Sequence, residues 1–141
     1  MIVQKPAILI YSRNPDQDYL REVCAGIEEE GVLYEVRQRE ECLDELAYLA
    51  AAESMLGVGI GIDGERIAMQ MSRLPKGRNV FELDTPRFWQ CRNLGANSAR
   101  AVKKMPFKQL YQVAGATASP RYVITLLFLK NSVFLNKSSS F

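Results

Sequence analysis

Leu56-Gly57-Val58-Gly59-Ile60-Gly61-Ile62-Asp63-Gly64-Glu65-Arg66-Ile67-Ala68-Met69-Gln70-Met71 is the stretch that decides the fold. Its first seven residues alternate glycine with large aliphatic side chains, as a buried strand does. Asp63-Gly64 is a strong two-residue hairpin turn, so the strand over 66–71 must return antiparallel. The same residues satisfy the formal pattern G-x-G-x-x-G over Gly59 to Gly64. A dinucleotide site needs those glycines between a strand and a helix whose N-terminus faces the pyrophosphate. Here a strand follows, so the glycines read as room for a helix to lie close to one face of the sheet.

Upstream, Ala7-Ile8-Leu9-Ile10-Tyr11 is a continuous apolar run, expected of a strand covered on both sides. Asn14-Pro15-Asp16-Gln17 predicts a helix start, with Asn14 as N-cap and Pro15 at the first helical position. Leu20, Val23, Cys24 and Ile27 recur at helical spacing, and Gly31 is a natural stop. Leu33 to Val36 predicts a short second strand, and Leu43, Leu46, Ala47 and Ala50 a second amphipathic helix over 41–54. Downstream, Val80 to Leu83 predicts a fifth strand. Thr85-Pro86 opens a third helical stretch to about Lys104, weakened near Gly95 and ended by Pro106. The order β-α-β-α-β-β-β-α predicts a three-layer α/β/α domain on a five-stranded mixed sheet with one antiparallel strand.

The chain has 141 residues, 48% hydrophobic and 24% charged, which suits one globular domain over 1–111. Residues 112–141 form a C-terminal extension of unknown role, with an uncharged apolar run from Tyr122 to Leu129. That run is far short of the ~20 residues of a membrane span. The start, Met1 to Pro6, lacks the layout of a signal peptide, so the expected location is the cytoplasm. Eighteen basic and 16 acidic residues leave a net charge of +2, which demands neither nucleic acid nor membrane as a partner.

The chain contains no histidine. That removes Ser-His-Asp and Cys-His hydrolysis and most zinc sites. Cys24, Cys42 and Cys91 form no C-x-x-C pair and are expected to be reduced, buried small hydrophobes.

Two segments carry candidate contacts. At about 100° per residue, Glu29 falls opposite the apolar stripe of the first helix, flanked by Glu28 and Glu30. Three carboxylates in a last helical turn oppose the macrodipole. They form either a solvated face or an anionic patch awaiting a cation or a basic partner. Arg92-Asn93-Leu94-Gly95-Ala96-Asn97-Ser98-Ala99-Arg100 puts Asn93 and Asn97 on one face of a thin helix. Close packing on the sheet and a contact surface are both open readings of it. Arg100, Lys103 and Lys104 suit a helix C-terminus.

Gly26-Ile27-Glu28-Glu29-Glu30-Gly31-Val32, then Leu56 to Gly61, then Arg92 through Lys103 with Pro106-Phe107, resemble in order and spacing the small subunit of the diol/glycerol dehydratase reactivase. The resemblance runs from about Pro6 to Phe107. It implies a noncatalytic subunit of an ATP-dependent, chaperone-like complex that releases damaged cobalamin from the dehydratase by subunit exchange. The implied fold is that of the dehydratase medium subunit, an anticodon-binding-domain-like arrangement. The implied partners are a large subunit that holds ATP or ADP, two large with two small, and the dehydratase as client. Glu29, the second glutamate of the acidic helix end, is implied to contribute to a Mg2+ or Ca2+ site at the contact with the large subunit. Where the family often has proline, Leu33 stands here, and the last thirty or so residues match nothing in it. Association with a bacterial microcompartment, and a propanediol or a glycerol client, stay open.

Two rival classes remain. One is the medium, structural subunit of the dehydratase itself, which is typically longer before its first strand. The other is a free-standing flavodoxin-like enzyme or small-molecule binder, which would purify with bound flavin or nucleotide.

Overall fold

The computed structural model describes residues 5–111. The chain divides into two units, Met1–Lys108 and Gln109–Phe141, and the fold below is that of the first. The expected extension over 112–141, with its Tyr122 to Leu129 run, lies outside the described residues.

Five strands and three helices follow in chain order: β1 (Ile8–Arg13), α1 (Gln17–Glu29), β2 (Tyr34–Gln38), α2 (Leu43–Glu53), β3 (Val58–Asp63), β4 (Arg66–Met71), β5 (Phe81–Asp84) and α3 (Phe88–Lys103). The strands form one sheet in the order β2-β1-β3-β4-β5. β1 runs parallel to both β2 and β3, with Ile10 opposite Val36 and Ile60. β4 is antiparallel to β3 and β5, so it alone is reversed, as the hairpin requires.

The layers follow from the strand order. The chain steps from β1 outward to β2, then back across β1 to β3. With right-handed crossovers, reversing the step puts α1 and α2 on opposite faces of the sheet. Leu9 and Tyr11 of β1 accordingly pack with Leu46 and Ala50 of α2. Ile8 and Ile10, alternating to the other face, are as completely buried, together with Val23 and Ile27 of α1 and Leu94 of α3. β2 and β5 are the two edge strands, and the side chains of β2 are mostly exposed.

Gly59 and Gly61 let α2 lie on the sheet at close range. A Cβ on Gly59 would stand 2.1 Å from Ala51 N, and one on Gly61 2.7 Å from Ala47 N. The alanine stripe of α2 meets the glycine stripe of β3, which is the structural role the sequence predicted for these glycines.

Several boundaries differ from the sequence expectation. The hairpin loop is Gly64-Glu65 rather than Asp63-Gly64, because Asp63 still pairs with Arg66. Gly64 takes the first loop position at φ +63. The N-cap of α1 is Asp16, not Asn14: the Asp16 carboxylate accepts from the amides of Asp18 and Tyr19, both at 3.0 Å. Asn14 instead turns left-handed at φ 44, a conformation that short polar side chains tolerate. Helix α3 begins at Phe88 rather than at Thr85-Pro86, since Thr85 is left-handed at φ 49. It is not weakened at Gly95, which lies inside a continuous helix. Cys24 and Cys91 are buried as expected, but Cys42 is exposed, because it stands before α2 rather than on its inner face.

Candidate functional site

Helices α1 and α3 pack side by side and run in the same direction. Tyr19 meets Phe88 edge to face at one end, ring centroids 5.9 Å apart, and Glu30 meets Lys103 at the other. Two glycines set the approach. A Cβ on Gly26 would stand 2.0 Å from Arg92 O, and one on Gly95 2.1 Å from Val23 O. Each helix thus presses its backbone into a notch in the other. The small residues of the Arg92–Arg100 segment serve this packing.

That pairing aligns the acidic stripe of α1 with the basic stripe of α3. Arg92 donates from Nε and Nη2 to Glu22, both at 2.9 Å, and from Nη1 to Glu29 at 2.8 Å. Glu22 and Glu29 are seven residues apart, two helical turns on one face, so a single guanidinium spans both. Arg100 Nε and Lys103 Nζ both reach the Glu30 carboxylate at 3.2 Å, and Lys103 also donates to Glu30 O at 2.7 Å. Tyr34 donates its hydroxyl to Glu28 at 3.2 Å.

The three adjacent carboxylates therefore have different surroundings. Glu30 is not the solvated flank that the helical wheel implies: its side chain is only 11% exposed. Burial alone would raise its carboxyl, but the hydrogen bonds from Lys103 and Arg100 outweigh that and hold it below the usual carboxylate range. Glu29 lies where expected, outward, with its side chain 49% exposed. Burial, the Cys24 thiol and Glu28 together push the Tyr34 hydroxyl up to about 12, so it stays a donor.

A hard cation could be served here only in part. Glu29 offers carboxylate oxygens at an accessible surface, the right donor for Mg2+ or Ca2+. Yet calcium takes 6–8 oxygens and magnesium six. Among the described residues no three His, Cys, Asp or Glu side chains converge to hold a metal. Glu29 fits as one ligand of a shell completed by another molecule, and as no more than that.

The other expected contact residues separate. Asn97 is fully buried, and its amide clasps the Lys108 backbone, donating to the carbonyl at 2.9 Å and accepting from the amide at 2.6 Å. It fixes the turn after α3 and is not available for docking, while Asn93 stays half-buried. In the sequence Arg92 stands out only as part of a small-residue motif. Its bridging role needed the α1–α3 pairing, although the Glu22/Glu29 spacing on one face was a visible hint.

The crevice where a doubly wound sheet would hold a nucleotide is bridged by an ion pair. Between the ends of β1 and β3, Arg13 bridges Asp63 at 2.6 and 3.2 Å. The hairpin closes over them: Gly64 N donates to Arg13 O at 3.1 Å, and Asp16 N to Gly64 O at 2.9 Å. This is the switch point that flavodoxin-like binders leave open.

The family described as dehydratase medium subunit matches residues 5–108. The propanediol dehydratase-reactivating factor small subunit of Citrobacter freundii is 36% identical over 109 residues, 75% of this chain and 93% of that protein. The diol dehydratase-reactivating factor small subunit of Klebsiella michiganensis is 37% identical over 108 residues, 74% of this chain and 86% of that one. Among solved structures, a diol dehydratase-reactivating factor complexed with ADP and Mg2+ aligns with TM-score 0.70 and 35% identity, over 75% of this chain and 100% of that one. A glycerol dehydratase reactivase aligns with TM-score 0.72 and 28% identity, over 76% of this chain and all of the other.

Proposed function

We propose, from the premise that this chain belongs to the dehydratase medium subunit family, that it is the noncatalytic small subunit of a diol or glycerol dehydratase reactivase. The observation that carries this reading is coverage: the similarity to reactivating-factor small subunits spans nearly their whole length, at about one residue in three identical. The absence of histidine and the bridged β1–β3 crevice fit a subunit that works by docking. In this reading the large subunit holds ATP or ADP and the complex contains two large and two small subunits. The client dehydratase gives up damaged cobalamin when its medium subunit exchanges places with this chain. Such work belongs in the cytoplasm; among the described residues no helix is long and apolar enough to cross a membrane.

The docking face in this proposal is the outer surface of α1 and α3, and Glu29 supplies one ligand to a Mg2+ or Ca2+ ion shared with the large subunit. The outward, half-exposed carboxylate supports that role. Glu29→Ala should weaken association with the large subunit when the divalent cation is present and change little when it is chelated. Equal affinity of variant and wild type in Mg2+ and in Ca2+ would remove Glu29 from the interface.

The description of the matched family favours one alternative, a medium subunit inside the dehydratase itself. Coexpression decides between them. The reactivase reading expects copurification with an ATPase-like large chain, and a complex whose mass by native mass spectrometry responds to ADP. Diol-dehydrating activity in the copurified complex would overturn it.

A further inference from the structure

We infer that Arg92 is a built-in competitor for Glu29, a latch that a divalent cation must displace before the docking face of α1 can be used. The inference rests on the reading of Glu29 as an interface ligand and adds how that site is regulated.

The geometry is that of an asymmetric fork. Two of the Arg92 nitrogens, Nε and Nη2, converge on one oxygen of Glu22 at 2.9 Å. The third, Nη1, reaches Glu29 at 2.8 Å. The Glu22 side chain is 23% exposed and that of Glu29 49%. The first contact is therefore the better shielded and the second the more easily broken. The backbone beneath is fixed, because Arg92 O lies in the notch at Gly26 with no room for a Cβ. Release needs no movement of the planar guanidinium: the more exposed Glu29 carboxylate can swing out to a cation while Arg92 keeps both nitrogens on Glu22.

Two consequences follow. Without a cation, Glu29 is occupied by a positive group of its own chain, so the carboxylate is shielded from other basic partners. With a cation, Glu29 changes partner while Glu22 retains the guanidinium, so no buried charge is stranded. A lysine could not do this. Its ammonium is a single point of charge on a flexible stem and lacks the rigid fork that serves two carboxylates at once.

The test is a Mg2+ titration of complex formation between the full chain and its large subunit, read as the cation concentration giving half the maximal gain in affinity. Glu29→Gln should abolish the cation response. Arg92→Gln should lower the half-point by about two- to fivefold, the range set by loss of one partly exposed ion pair. Arg92→Lys keeps the charge and loses the fork, and should shift the half-point in the same direction. An Arg92→Lys protein with the wild-type half-point would overturn the latch, since only the local field would then matter. If Glu29→Gln abolishes the response but neither Arg92 variant moves it, the latch fails and the interface ligand stands. If Glu29→Gln leaves the response intact, the ligand reading itself fails. Should Arg92→Gln not fold, Arg92→Lys still decides.

Discussion

Gly95→Ala separates two effects of opposite sign. In an isolated helix this exchange would stabilise, since alanine is favoured over glycine by ~1 kcal/mol in a helix interior. In this chain the new Cβ would stand 2.1 Å from Val23 O and 2.9 Å from Val23 C. Restoring an ordinary contact of 3.4 Å requires α3 to retreat by 3.4 − 2.1 = 1.3 Å at that point. The obstacle is main chain, not the flexible end of a side chain, so the whole helix must move. Overpacking costs ~1–3 kcal/mol, and with immovable main chain as the obstacle this site belongs in the upper part of that range, ~2–3 kcal/mol. The retreat also draws Arg92, three residues earlier on α3, away from Glu22 and Glu29. After the propensity gain, the expected net loss is ~1–2 kcal/mol, a fall in Tm of ~5–15 °C for a domain of this size. Thermal and urea unfolding followed by circular dichroism measure it. A variant as stable as wild type, or more so, would refute a close α1–α3 crossing at Gly95 and with it the alignment of the two charged stripes.

Other expectations rest on single contacts. Asp16→Ala removes the acceptor for two amides at the start of α1 and should cost ~1 kcal/mol, read as a lower urea midpoint, whereas Asn14→Ala should leave the cap intact. Glu30 is held below the usual carboxylate range in the fold, so the unfolded chain binds the extra proton there. Its contribution is complete above the ordinary carboxyl pKa and is lost as pH falls through the depressed folded value. Glu30→Gln should flatten stability against pH in that acidic window, and an unchanged profile would contradict the pairing with Arg100 and Lys103. Of the three thiols, only Cys42 should react with a thiol reagent in the native protein. Burial raises both others, Cys91 to about 12, and labelling of all three at one rate would contradict the packing.

What was legible in the sequence was whatever depends on neighbours along the chain. The apolar run of β1, the helical period of α1, the room that the β3 glycines leave for a helix and the β3–β4 reversal could all be read there. The cap of α1 could not, because Asn14, Asp16 and the intervening proline offer two rival caps. The contest is settled by the β3–β4 hairpin, whose Gly64 carbonyl accepts from Asp16 N and holds that residue in extended backbone. Gly95 looks like a weakness in the sequence for a related reason: propensity counts its freedom, while the crossing with α1 is invisible until the two helices meet. Glu29 could be placed outward from the wheel alone. Glu30 could not, since its surroundings belong to a helix seventy residues away.

That difference between neighbours also separates structure from function within the acidic helix end. Three carboxylates at the C-terminus of α1 are unfavourable to the helix that bears them. Because α3 runs parallel to α1, its own C-terminal cations arrive at the same level, and α1 gains partners it could not supply itself. Arg100 and Lys103 converge on Glu30 and enclose it, so that carboxylate is committed to the fold. Glu29 shares a partner with Glu22 and keeps half its surface in water. The fold therefore compensates Glu30 fully and Glu29 only in part. Glu30→Ala should then lower stability by ~1 kcal/mol or more, through two lost charged contacts at a shielded site. Glu29→Ala should cost less than half of that, while affecting association with the large subunit more. The reverse ranking, with Glu29 governing stability and Glu30 governing association, would mean that the docking face has been assigned to the wrong carboxylate.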